Sequence, residues 1–204
     1  MLEVPVKPIE FWVSIGSTYS YLSVMRLAGV EAETGVSFDF RPFSVRAIMI
    51  EMDNVPFAKK PIKARYMWRD IERRAAKYGI DATTPAPYPL ENFDLANQVA
   101  VVGRREGWCR DYVTATYRRW FQNGEPAGGE PNLTESLAEI GQSPERVIAL
   151  AKSPETEAEY LAETDEARSL GVFGSPTFVV GKELFWGDDR LEDAISWHQT
   201  GKVQ

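Results

Sequence analysis

Phe11-Trp12-Val13-Ser14-Ile15-Gly16-Ser17-Thr18-Tyr19-Ser20-Tyr21-Leu22 runs from an apolar strand through a glycine into the start of a helix, with Ser17 at the junction. Such a junction gathers free backbone N–H groups and the positive end of a helix dipole around one hydroxyl, so it can hold an anion, a thiolate included. Two readings of Ser17 stay open on these residues alone. One is a plain N-cap, with Ser17 or Thr18 opening the helix; the other is a donor to a bound anion. Ser20, one turn further on, is a spare candidate, and a serine inside a helix more often bonds back to its own backbone.

Working outward, residues 9–15 read as a buried strand, 18–34 as a helix stopped at Gly35, and 36–42 as a second strand with alternating side chains. A β-α-β start of this kind makes parallel pairing the default. From about 44 to 170 the signals are nearly all helical, over 64–78, 91–106, 108–122, 133–140, 144–151 and 154–170, punctuated by Pro- and Gly-rich stretches at 85–89 and 124–131. Strands return at 176–180 and 183–186 around Gly181-Lys182, a two-residue hairpin turn. Asp188 or Asp189 then caps a last helix through 197.

Composition limits what this arrangement can serve. The 204 residues are enough for one well-buried domain carrying a large insertion, and 44% hydrophobic and 12% aromatic content supports a folded core. With 30 acidic against 23 basic residues the net charge is −7, a field that repels polyanions and gives no reason to expect nucleic acid. No stretch has the length of a membrane span and residues 1–10 lack the pattern of a secretory signal, so a soluble, cytoplasmic protein is expected, with no membrane partner. A single cysteine, Cys109, excludes an intrachain disulfide and a cysteine-rich metal cage, and reads as an inert, partly buried thiol. The single histidine, His198, cannot build a histidine metal site, so no metal is expected. Nor does a G-x-S-x-G elbow surround Ser17, which argues against a Ser-His-Asp hydrolase.

The order β-α-β, helical insertion, β-hairpin, helix resembles an α/β thioredoxin-like fold of the DsbA type with a large all-helical insertion. Residues 1–43 and 171–204 would form the thioredoxin-like part and 44–170 the inserted helical domain. Within that superfamily the chain is similar to the 2-hydroxychromene-2-carboxylate isomerases and the kappa-class glutathione transferases. Ser17-Thr18-Tyr19-Ser20-Tyr21-Leu22 resembles the family's Ser-Pro-aromatic-Ser-aromatic-Leu motif, with Thr18 standing where the family has proline. Arg41-Pro42 ends the second strand as in relatives. Asn54, followed by a proline and then by Pro61-x-Lys63-Ala64-x-Tyr66, resembles the family's Asn…Pro-x-Lys segment. Gly174-Ser175-Pro176-Thr177-Phe178 is similar to the signature that sets a cis-proline opposite the serine, and Phe185-Trp186-Gly187-Asp188-Asp189-Arg190-Leu191 to the closing glutathione-binding motif.

The resemblance implies glutathione as cofactor, its sulfur held as thiolate by Ser17. Lys63, by charge, and Asn54, by hydrogen bonding, would receive a ligand carboxylate, with Lys59 and Lys60 as local competitors for the lysine role. Ser175 and Pro176 would present a backbone edge to an extended tripeptide, although an ordinary edge-strand proline explains Pro176 equally well. Asp188 and Asp189 would meet the ammonium of a γ-glutamyl group, unless they are simple helix caps. Tyr19, Phe43, Tyr66 and Trp186 would line a pocket for a flat aromatic substrate, against the alternative that such aromatics belong to the core. The implied reaction is isomerisation of an unsaturated aromatic acid of the 2-hydroxychromene-2-carboxylate type, by reversible thiolate addition, bond rotation and elimination. The alternatives are a kappa-type glutathione transferase and a redox-inactive DsbA-like binding protein; the missing Cys-x-x-Cys opposes a disulfide oxidoreductase. A homodimer and a role in aromatic degradation are also implied by the resemblance alone.

Overall fold

The structure is a computed structural model that describes residues 7–54, 57 and 60–204. Residues 1–6 of the stretch read as lacking a secretory signal, the proline at 56 and the competing Lys59 lie outside the described residues. Four strands form one mixed sheet in the order β2-β1-β3-β4: β1 (Ile9–Val13), β2 (Phe38–Pro42), β3 (Thr177–Val180) and β4 (Glu183–Trp186). β1 pairs parallel to β2, Phe11 opposite Phe40, and antiparallel to β3, Phe11 opposite Phe178. Parallel pairing of β1 and β2 requires a crossover, and α1 (Ser20–Thr34) supplies it, ended by Gly35 at φ 71. β3 and β4 are joined by Gly181-Lys182, with Val180 paired to Glu183 across the turn.

Between β2 and β3 lie α2 (Val45–Glu51), α3 (Pro61–Tyr78), α4 (Phe93–Glu106), α5 (Cys109–Arg118), α6 (Asn132–Glu139), α7 (Pro144–Ala151) and α8 (Pro154–Leu170). The starts of α7 and α8 are set locally. Ser143 and Ser153 accept from the N–H of Arg146 and Thr156, each with a proline at the first helical position. α5 does not run on regularly to 122; it passes into a π-helical turn over Arg119–Asn123 that buries Trp120 and Phe121. The chain closes with a 3₁₀ turn, Asp188–Arg190, and α9 (Leu191–Thr200).

One continuous apolar core joins the sheet to the helices between its halves, from Phe11, Phe40 and Phe178 to Trp120, Phe121 and Leu137. Phe11 stacks on Phe178 at 5.2 Å between ring centres and meets Phe40 edge-on at 4.9 Å. Buried Arg41 on β2 is neutralised by Glu163 and Glu166 of α8 and lies 4.5 Å over the Trp12 ring, tying that helix to the sheet. Phe43, expected in a substrate pocket, is a core residue: it is 0% exposed, with its ring 5.7 Å from Trp12.

Candidate active site

Ser17 ends a tight turn that leaves β1, its N–H bonded to Ser14 O at 3.0 Å. Gly16 sits at φ 126, and a Cβ there would lie 2.5 Å from the Phe93 ring, so both backbone angle and space demand glycine. Two fully buried side chains hold the turn. Asn97 of α4 accepts from the Ile15 N–H at 2.8 Å and donates to Ile15 O at 2.9 Å and Phe93 O at 2.8 Å. The Tyr117 phenol reaches Ser14 O and Ser17 O, each at 3.0 Å; burial raises its pKa, which keeps the proton in place for donation. Neither residue was marked by the sequence, because a polar side chain on a helical face carries no local sign of its distant partner.

Ser17 and Thr18 are not helix caps. α1 starts only at Ser20, after Tyr19, and no side chain caps it. The Ser17 hydroxyl donates instead to the Ser175 carbonyl at 2.5 Å, and the Thr18 hydroxyl to the Met67 sulfur of α3 at 3.0 Å. Tertiary partners outbid the local N–H groups. Ser17 is half-buried, open to solvent on one side, whereas Ser20 is fully buried and shares a 2.9 Å contact with the Ser175 hydroxyl. Ser175 Oγ also accepts from the Ser14 N–H at 2.9 Å, and Ser175-Pro176 is a cis peptide. Gly187 N–H bonds Pro176 O at 2.9 Å, which brings the start of the Asp188–Arg190 turn beside the same loop.

The two aspartates separate in role. Asp188 has a side chain 1% exposed; one oxygen takes Arg74 Nε at 3.0 Å and Nη2 at 2.6 Å, and the other takes Ser23 Oγ at 3.3 Å and lies 3.6 Å from Arg26 Nη1. It is therefore neither a helix cap nor open to a ligand's ammonium, because α1 and α3 have already neutralised it. Asp189 is exposed and accepts from Arg190 Nη2 at 3.2 Å; it is no cap of α9 either, which starts after Arg190 with no side-chain cap. Changing Asp188 to Asn should take the paired carboxylate from part-buried Arg74, while Arg26 keeps Glu192, and lower stability by about 2 kcal/mol. Urea unfolding tests this, and a loss under about 1 kcal/mol would mean that the network is incidental.

α3 crosses over the Ser17 turn through the Thr18–Met67 contact and a 3.0 Å hydrogen bond from the Tyr19 phenol to Asp70. Burial and the adjacent Asp70 carboxylate both raise the Tyr19 pKa, so Tyr19 stays a neutral donor. Lys63 lies one helical turn before Met67 on the same face, exposed, with its ammonium 5.8 Å from the Phe57 ring and no carboxylate in ion-pair reach among the described residues. Asn54 and Lys60 are exposed nearby in the chain, at the two ends of the segment before α3. Tyr66 is 62% exposed and Trp186 53% exposed; Trp186 packs edge-on against Phe173 at 4.8 Å and lies so close over Gly174 that no Cβ fits there. Both are surface aromatics, so of the four expected pocket residues Phe43 alone belongs to the core.

Cys109 is buried and its thiol is pushed up to about 12 by loss of solvent, so no reactive cysteine faces Ser17. Among the described residues no cluster of His, Cys, Asp or Glu can hold a metal ion, and no helix is long and apolar enough to cross a membrane.

A thioredoxin-type sheet with a serine at the β1–α1 junction and a cis-proline loop opposite defines the class. The chain belongs to the family of the DSBA-like thioredoxin domain, whose profile matches residues 8–195. It is 29% identical to a 2-hydroxychromene-2-carboxylate isomerase of Sphingobium xenophagum, over 91% of this chain and 95% of that protein. It is 24% identical to glutathione S-transferase kappa 2 of Caenorhabditis elegans, over 91% and 88% of the two chains. The solved structure of a 2-hydroxychromene-2-carboxylate isomerase superposes with a TM-score of 0.80 at 24% identity, covering 91% of each chain. The resemblance read from the motifs is thus met by relatives of both kinds, and both kinds are enzymes.

Proposed function

We propose that the chain is a glutathione-dependent isomerase acting on an unsaturated aromatic acid of the 2-hydroxychromene-2-carboxylate type. The observation that carries this reading is a solvent-reachable serine hydroxyl, with no cysteine, between the β1–α1 turn and the Ser175-Pro176 loop. The donor set fits a tripeptide thiol: one hydroxyl, an exposed lysine with no carboxylate in ion-pair reach among the described residues, an asparagine, an exposed aspartate and a backbone edge. Asp188 is outside that set. Bound glutathione would supply a sulfur nucleophile that the chain itself lacks.

The chain's residues would do the rest. Ser17 turns its hydroxyl from the Ser175 carbonyl toward the sulfur and, as a hydrogen-bond donor, favours the charged form. The orphan N–H groups at the start of α1, which no side chain caps, act in the same direction. Lys63 and Asn54 hold a carboxylate and Asp189 an ammonium, so that the sulfur is positioned rather than free. Tyr19, Tyr66 and Trp186 offer aromatic surface at the edge of the site. A cytoplasmic homodimer working in aromatic degradation belongs to the same reading.

Incubation of 2-hydroxychromene-2-carboxylate with the protein, with and without glutathione, tests it. The expected result is spectral conversion that requires glutathione while total free thiol stays constant. Thiol consumed in proportion to turnover assigns the kappa-type transferase instead, the reading that the kappa relatives favour. Conversion indifferent to glutathione, or no conversion, defeats the proposal.

A further inference from the structure

Arg46 carries a charge with no carboxylate in ion-pair reach among the described residues. It is the second residue of α2, half-buried, with its guanidinium carbon 4.0 Å from the centre of the Phe93 ring and Nη2 donating to Leu90 O at 3.1 Å. Among the described residues every other arginine except exposed Arg65 has a carboxylate oxygen within 4.0 Å. In a chain with 30 acidic residues, a half-buried cation without one is exceptional. The acid adjoining Phe93, Asp94, is taken up by the Tyr160 phenol at 3.3 Å and lies beyond ion-pair reach of Arg46. Withdrawing a cation from water without a counter-charge costs free energy, so the arrangement is best satisfied by an anion from outside.

Its position gives that anion a use. The Phe93 ring beneath Arg46 is the ring that packs against Gly16, so one phenyl group separates the guanidinium from the residue before Ser17. Beside it Tyr88, whose pKa burial raises and the Arg46 charge lowers, is partly exposed and meets Phe57 edge-on at 6.3 Å and Trp68 at 6.1 Å. Phe93 is itself buried, so the surface open to a ligand beside Arg46 is Tyr88, and a cation next to an exposed aromatic face matches a flat ring bearing a carboxylate. Guanidinium suits that group better than ammonium because it can bind both oxygens at once.

We propose that Arg46 anchors the carboxylate of a planar aromatic acid substrate, with the ring against the exposed part of Tyr88, so that Arg46 serves the substrate while Lys63 serves glutathione. This rests on the isomerase reading for the identity of the reaction, but not for binding of the acid.

The test is calorimetric titration of the wild-type protein and Arg46→Gln, without glutathione, using chromone-2-carboxylate as an unreactive planar acid and its methyl ester as the neutral control. A separate titration of both proteins with glutathione completes it. Arg46→Gln is expected to weaken the acid about tenfold or more while leaving the ester and glutathione within about twofold. Arg46→Met, which keeps an unbranched chain against Phe93, should behave like Arg46→Gln. Equal acid affinity in wild type and variant, no acid binding to wild type at millimolar concentration, or equal losses of acid and ester each overturn the proposal. So does a loss confined to glutathione. Failure of glutathione to bind the wild-type protein would sink the isomerase reading and leave the acid titration still decisive for Arg46.

Discussion

Ser17→Ala is expected to lower kcat/KM for the chromene acid about 100-fold, the usual effect of removing one well-placed donor to a reacting anion. The fold should survive, because the lost hydroxyl makes a single bond to the Ser175 carbonyl from a position that water can reach. Stability should therefore fall by only about 1 kcal/mol. Glutathione affinity should change little, since its two ends are proposed to sit on Lys63, Asn54 and Asp189. The pH dependence carries the clearest sign. A donor to the thiolate lowers the thiol pKa, so removing it raises that pKa, and the rising limb of the rate profile should move upward by about one to two pH units. A variant with wild-type rate and an unmoved profile would leave Ser17 as part of the turn only.

Asn97→Ala is expected to have the largest effect on stability, a loss of about 3–5 kcal/mol in urea unfolding. Three hydrogen bonds of 2.8–2.9 Å disappear together from a side chain that is 0% exposed, and the Ile15 N–H, Ile15 O and Phe93 O lose partners where water cannot replace them. Asn97→Asp should be nearly as harmful. It keeps an acceptor for the Ile15 N–H, loses both donors, and places a charge in the core. Since Asn97 holds the residue two places before Ser17, whatever folded protein remains should also lose turnover. A stable Asn97→Ala with unchanged kinetics would refute this account of the turn.

Local signals were legible where local physics decides. α7 and α8 begin where the helical readings over 144–151 and 154–170 put them, and β4 follows the two-residue Gly181-Lys182 turn as read. The β-α-β start and parallel pairing were readable for the same reason. The π-helical turn after α5 was not, because Trp120 and Phe121 are apolar in either helix type and only their packing selects the register.

The site divides in the same way. The sequence by itself determined that a hydroxyl and no thiol stands at the β1–α1 junction, that a Ser-Pro pair precedes the third strand, and that a lysine stands just before the helix read over 64–78; these are matters of residue type and order. Tertiary structure alone decided that Ser17 bonds to Ser175 rather than capping α1, that Asp188 is sealed by Arg26 and Arg74 while Asp189 stays open, that Phe43 belongs to the core, and that Asn97, Tyr117 and Arg46 matter at all. Each of those outcomes depends on which distant group reaches a polar or aromatic side chain and how much water remains there, and neither is encoded in neighbouring residues.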